Sequence, residues 1–140
     1  MKTFISLTIM VSYLLLLNAC DHNEKVTDKG YPRVKDSTYN EQDLKDIESF
    51  IADAALNKTA GITFLSQGPE TQLYAEVEST NSKLSLSFWK DDDYKNRENY
   101  SCSYLYKKED QQFIKYEINC NKLEQPFTLY RLNKEKMKRM

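Results

Sequence analysis

Residues 99–120, NYSCSYLYKKEDQQFIKYEINC, decide the fold. Two stretches rich in Tyr, Phe and Ile flank a polar EDQQ, the pattern of two strands joined by a tight turn. With the turn centred on Gln111, Lys108 faces Ile114, Tyr106 faces Tyr116, Tyr104 faces Ile118 and Cys102 faces Cys120. Side chains alternate along strands, so these residues share one face. Tyr104, Tyr106 and Tyr116 are therefore expected in the core. Directly opposed strand residues lie within reach of a disulfide. The register that pairs the large apolar side chains thus also pairs Cys102 with Cys120. Closing this loop should stabilise the domain by about 3 kcal/mol by restricting the unfolded chain. A metal or redox role is disfavoured, because the spacing is not C-x-x-C and no ligand-rich cluster accompanies it.

Outward from the hairpin, the same period of two recurs. TQLYAEVES (71–79) places Leu73, Ala75 and Val77 on one face. KLSLSFW (83–89) places Leu84, Leu86 and Phe88 on one face and Trp89 on the other. ITFLSQ (62–67) and PFTLYRL (126–132) read as further strands, and Glu76 and Glu78 as the wet side of the sheet. The connections QGPE, STNS, KDDDYKNREN and NKLEQP are too short for a crossover helix, so the strands should form an antiparallel meander. Before them, Leu44, Ile47, Ile51, Ala54 and Ala55 recur at helical spacing with Phe50 beside them. Asn40 suits an N-cap, Glu41, Asp43 and Asp46 suit the positive end of a helix, and Gly61 suits its close. The expected fold is α+β: one N-terminal helix packed on an antiparallel meander of about five or six strands, with a hairpin disulfide. In layout it resembles cystatin-like and small periplasmic inhibitor folds.

The N-terminus has a different character. One basic residue, Lys2, precedes the uncharged run Phe4–Leu17, FISLTIMVSYLLLL, and polar residues begin at Asp21. The run falls short of the roughly 20 apolar residues of a membrane span and fits a secretory signal. Leu17-Asn18-Ala19-Cys20 resembles the lipobox of bacterial lipoproteins. Leu17, Ala19 and Cys20 match it, Asn18 departs from its commonest form, and the resemblance covers residues 1–20 only. It implies cleavage before Cys20, a diacylglyceryl group on the sulfur and an acyl group such as palmitate on the new amine. Two or three acyl chains anchor stably. Asp21, directly after that cysteine, resembles the signal that keeps such proteins in the inner membrane, facing the periplasm. The expected organisation is a signal peptide over 1–19, a lipidated tether over 20–38, an α+β domain over 39–133 and a basic tail over 134–140; the competing reading of the tether is an ordered extension packed on the domain through Tyr31 and Val34. That tail either frays in solution or rests on anionic lipid.

Lipidation of Cys20 would also explain why an exported chain has three cysteines, leaving an even pair for an oxidising compartment. The single histidine is His22, in the tether, so the domain has no histidine for acid–base or metal chemistry. Three glycines form no phosphate-binding loop. DDDYKNRE (91–98) fails as a calcium loop, because the fifth position is Lys95 and no glycine follows. Lys and Arg number 20 against 21 Asp and Glu, which gives no footprint for nucleic acid. No cofactor or metal is expected.

A small exported domain with ten tyrosines and no catalytic set is expected to bind rather than catalyse. The candidate partner-binding residues are Trp89, Asp91, Asp92, Asp93, Tyr94, Glu98 and Tyr100, which mix negative charge with rigid aromatic rings. A plain solvated hairpin loop is the competing reading. Two roles fit: an immunity or inhibitor protein that neutralises a secreted toxin or effector by binding it, or an accessory lipoprotein of an envelope secretion or conjugation apparatus. The lipobox generates its own expectation. Metabolic labelling with a palmitate analogue should mark the wild-type chain and leave Cys20→Ala unlabelled; equal labelling of both removes the lipoprotein reading.

Overall fold

The computed structural model describes residues 29–36 and 39–139. The expected signal segment, Cys20, His22 and most of the expected tether lie outside the described residues.

Seven strands form one sheet in sequence order: β1 (Arg33–Lys35), β2 (Ala60–Gln67), β3 (Gln72–Thr80), β4 (Lys83–Lys90), β5 (Glu98–Glu109), β6 (Phe113–Cys120) and β7 (Phe127–Asn133). The main helix, α1 (Glu41–Ala55), lies between β1 and β2, and a short α2 (Lys134–Lys138) follows β7. From β2 to β7 every pairing is antiparallel, as the short connections require. The expected N-terminal helix is corrected. α1 is preceded by β1, which pairs in parallel with β2, so the helix is itself the crossover between them. Tyr31 and Val34 allowed an ordered extension here, but not a strand, because β1 buries one side chain, Val34, between exposed Arg33 and Lys35. Three residues are too few for alternation to register, and they fall in the stretch expected to be tether.

α1 forms for local reasons. The Asn40 side chain accepts from the Gln42 amide at 2.9 Å, and Glu41 and Asp43 occupy the first turn. Ile47 and Phe50 are buried, and Leu44 and Ile51 pack beside them. The helix ends at Leu56, and Asn57 takes the left-handed turn at φ 58°, so Gly61 does not close it. Gly61 instead lies in β2 under the Tyr31 ring, where a Cβ would overlap that ring. The Tyr31 hydroxyl reaches Glu78 at 3.0 Å.

The sheet is rolled. In a flat sheet six strand spacings would separate β1 from β7 by about 29 Å. Here the Arg131 amide of β7 donates to the Asp36 carboxylate just after β1 at 3.4 Å. Phe88 of β4 and Phe127 of β7, three strands apart, stack with centroids 6.0 Å apart. Bulges between Cys102 and Tyr104 and between Tyr116 and Glu117 supply part of this curvature. The inner face carries Ile62, Phe64, Val77, Leu86, Tyr116, Ile118 and Tyr130, which form one core with Val34, Ile47 and Phe50. Burial of Glu76, only 3 % exposed, corrects its expected place on a wet face. Among the described residues no helix is long and apolar enough to cross a membrane.

The hairpin contains the second correction. Asp110 closes a tight turn: its amide donates to the Phe113 carbonyl at 3.0 Å, and its carboxylate accepts from the Gln112 and Phe113 amides at 2.8 and 2.7 Å. These bonds hold its carboxyl below the usual range, the Phe113 amide contributing most. The turn is centred between Gln111 and Gln112, half a residue beyond the expected centre. Lys107 therefore faces Tyr116, Leu105 faces Ile118 and Tyr104 faces Asn119. The bulge at Ser103 absorbs the odd residue and returns Cys102 opposite Cys120, and the disulfide forms as expected with Cα atoms 3.8 Å apart. Tyr116 is core, but Tyr104 and Tyr106 point outward: Tyr104 is 54 % exposed and Tyr106 donates to Glu117 at 2.9 Å.

Two buried tyrosines end differently. The Tyr116 hydroxyl donates to Glu48 at 2.6 Å, and burial together with that carboxylate pushes its pKa up. The Tyr130 hydroxyl has no partner among the described residues; burial, then the charges of Asp43 and Asp36, push its pKa up to about 12. An unpaired buried hydroxyl costs stability, whereas a paired one contributes. Tyr130→Phe should therefore be neutral or stabilising by up to about 1 kcal/mol, and Tyr116→Phe destabilising by about 1 kcal/mol. Urea unfolding of the two variants measures the difference, and equal losses would contradict the assignment of these hydroxyls.

Candidate functional site

β4 ends in two neighbouring aromatic residues that point to opposite faces. Phe88 faces inward, between Tyr100 at 5.5 Å and Phe127 at 6.0 Å, all near parallel. Trp89 faces outward. It stacks on Tyr74 at 5.2 Å and meets the edge of Tyr94 at 4.9 Å. The Arg97 guanidinium covers the other side of the Tyr94 cluster, 4.3 Å from that ring's centroid. Aromatic pairs in these geometries add about 0.5–1.5 kcal/mol beyond the area they bury.

Between the two clusters runs the turn after β4. Asp91 sits at φ 47°, a conformation an aspartate tolerates better than most residues. Its amide donates to the Gln72 carbonyl at 2.8 Å, and its carboxylate accepts from the Gln72 amide at 2.8 Å. The turn is therefore pinned to the start of β3. The Asp93 amide donates to the Lys90 carbonyl at 3.0 Å, and its carboxylate accepts from Asn96 at 2.8 Å, which opens a 3-10 turn over Tyr94–Asn96. Asp92 is exposed and makes no hydrogen bond among the described residues. Glu98 accepts from the Tyr100 hydroxyl at 2.6 Å, and that bond chiefly raises the Tyr100 pKa.

The expected partner-binding residues are thus only partly brought together. Trp89, Asp93 and Glu98 line a hollow of about 140 Å³ with Lys90 and Asn96, and Asp91, Asp92 and Tyr94 adjoin it in the chain. Tyr100 pairs with Leu86 on the inner face and joins the group only through its hydroxyl's bond to Glu98. Trp89 is 9 % exposed, so its ring already spends its apolar area inside the domain. Tyr94, half-buried at the edge of the cluster, is the aromatic residue open to a partner.

Sequence reasoning missed Tyr74, Gln72, Arg97 and Phe127. The first had a signal. Asn81 and Ser82 both take positive φ, the mark of a two-residue hairpin turn, and counting back from that turn places Tyr74 opposite Trp89. Phe127 had none, since only the rolling of the sheet brings it to Phe88. The same rolling leaves an apolar cavity of about 260 Å³ at the end of the inner face, walled by Phe64, Leu73, Ala75, Phe88, Phe127 and Leu129. Exposed Asp36 and Lys90 border it. A second cavity, of about 240 Å³, lies between α1 and β5 around Phe50, Leu84 and Leu105. Among the described residues no group of three or more His, Cys, Asp or Glu is placed to hold a metal ion. The chain matches no protein family, no curated protein and no solved structure with which it was compared.

The pinned turn yields a measurable contrast. Asp91→Ala removes a charge-assisted bond and should raise hydrogen exchange at the Gln72 amide about tenfold or more, while Asp92→Ala should leave it unchanged. Trp89 is the only tryptophan, so Tyr74→Ala and Tyr94→Ala should each shift its emission to the red. An unshifted spectrum in both would mean those rings do not shield it.

Proposed function

We propose that this domain is a lipid-anchored binding module of the bacterial envelope that neutralises a secreted toxin or effector by capping it. The turn Lys90–Glu98 is the contact. The observation that carries this reading is the Asp91 carboxylate bound to the Gln72 amide: it holds the adjacent exposed Asp92 and Asp93 at one fixed place on the surface. Preorganised charge loses little conformational entropy on binding and steers a basic partner toward it. Capping needs no chemistry from the inhibitor, only a complementary surface of about 800 Å² on each partner. Tyr94 supplies the aromatic contact, and buried Trp89 supports it from below. The anchor rests on Phe4–Leu17 and the Leu17–Cys20 resemblance, and with Asp21 it gives a periplasmic position on the inner membrane.

The test is a binding assay of the full chain against the secreted proteins of the same and rival strains, taking any toxin recovered into kinetic measurement. Asp92→Ser with Asp93→Ser should slow association about tenfold at low salt and flatten its salt dependence, with dissociation little changed. Tyr94→Ala should act mainly on dissociation. Recovery of envelope-apparatus components alone would replace this reading with assembly of a secretion or conjugation machine.

A further inference from the structure

The β5–β6 end of the sheet carries a charge pattern that folding by itself disfavours. Lys108 lies directly opposite Lys115, and Lys115 directly opposite Arg131. Three cations thus form one row across three adjacent strands, on the face away from buried Ile114 and Tyr116. Like charges directly opposed across strands are destabilising. Among the described residues no carboxylate lies within ion-pair distance of any of the three. The nearby acids are otherwise engaged: Asp110 by the Gln112 and Phe113 amides, Glu117 by the Tyr106 hydroxyl, Glu109 by Lys134 at 2.6 Å, and Asp36 by the backbone amide of Arg131 at 3.4 Å rather than by its guanidinium.

The row is part of a larger surface. Arg131 lies 3.8 Å and Lys115 5.9 Å from the centre of the Phe113 ring, so the cations surround an aromatic side chain. α2 adds Lys136 and Lys138, with Arg139 beyond it. The expected frayed tail is docked here: the Lys134 amide donates to the Gln112 carbonyl at 2.9 Å, and Asn133 caps the helix. The whole chain has a net charge of −1, so these cations are segregated rather than in excess. The acidic turn at Asp91–Asp93 precedes the start of β5, and the basic surface begins at its end. Tyr31, where the folded unit begins, packs on Gly61. Gly61 pairs with Glu78 near the β3–β4 turn, at the end of the sheet remote from the acidic turn.

We propose that the face formed by Lys108, Lys115, Arg131, Phe113 and α2 docks on the anionic headgroups of a lipid bilayer. A phosphate-rich surface relieves the repulsion within the row, and Phe113 enters the headgroup layer between the cations. Each cation near such a surface multiplies binding about fivefold, so the row of three contributes about a hundredfold. The inference stands on the cross-strand row and does not depend on the identity of a protein partner.

The test uses the full chain with two sets of vesicles, one of phosphatidylcholine and one containing phosphatidylglycerol, and reads lysine acetylation rates by mass spectrometry. In the anionic vesicles Lys108, Lys115 and Lys136 should react about tenfold more slowly than in the neutral ones, Lys90 and Lys95 should not change, and high salt should abolish the difference. The triple variant Lys108→Gln, Lys115→Gln, Arg131→Gln loses opposed like charges and the surface contacts of Lys115 and Arg131 with the Phe113 ring, makes no hole in the core, and should fold. In it the protection of Lys136 should disappear. Equal rates in both vesicles, or Lys136 protection retained in the triple variant, overturns the proposal. Protection by dissolved inorganic phosphate to the same degree without anionic vesicles would assign a soluble-anion site instead and overturns the bilayer assignment.

Discussion

The β5–β6 pairing is held at two points that require different registers. At one end Asp110 closes a turn centred between Gln111 and Gln112; at the other the disulfide holds Cys102 opposite Cys120. The registers differ by one residue, and the bulge at Ser103 takes up the difference. Because side chains alternate, that residue exchanges the faces of everything between the two points. Leu105 moves inward and packs on the core, while Tyr104 and Tyr106 move outward. A bulge also bends its strand and increases its twist. With the second bulge, on β6–β7, it helps the sheet roll until Asp36 meets Arg131 and Phe88 meets Phe127. The apolar cavity at the end of the inner face is what the rolled sheet encloses and α1 does not fill.

β4 gains its place at the candidate site from the same alternation. Phe88 and Trp89 anchor one aromatic cluster on each side of the sheet, and the turn that follows is fastened to β3 by Asp91. A charged turn held this way differs physically from a solvated loop of equal composition. The Asp91 and Asp93 carboxylates are held by Gln72 and Asn96, and the backbone that carries Asp92 is fixed between them. The cations Lys108, Lys115 and Arg131 are gathered apart from that turn, in one row across β5, β6 and β7. In a chain of nearly balanced charge, such separation gives the domain a direction, which matters more to association than the net value.

Three polar groups inside the fold, those of Asp43, Tyr116 and Tyr130, bear on the placing of α1. Asp43 is buried, its carboxyl pushed up by desolvation and drawn back by the Lys35 amide, which donates to it at 3.4 Å. The interaction ties the first turn of the helix to β1 and fixes where the crossover begins. Tyr116 reaches out of the core to Glu48 on the exposed side of the helix, which orients α1 over β6. Tyr130 contributes volume and leaves its hydroxyl unpaired among the described residues. Buried polar groups of this kind set the position of an element more than they add stability.

The amino-acid sequence by itself determined what depends on neighbours along the chain. The cap at Asn40, the Ile47–Phe50 stripe, the alternating strands from Ile62 to Leu132 and the pairing of Cys102 with Cys120 follow from periods of 3.6 and two and from one tight turn. At the candidate site, Asp91, Asp92, Asp93 and Tyr94 were legible as a cluster because they are consecutive. Tyr100 was grouped with them by its place in the chain, and only the β4–β5 register, which sets it opposite Leu86, puts it on the face away from Trp89. The tertiary structure alone decided the rest. Val34 becomes a strand because β2 offers its edge, Trp89 is buried because Tyr74 and Tyr94 close over it, and Lys108, Lys115 and Arg131 form a row because three strands bring them side by side. Each of these depends on contacts between residues far apart in the chain. Local periodicity does not encode them, and a one-residue shift at Ser103 is enough to reverse which side chains make them.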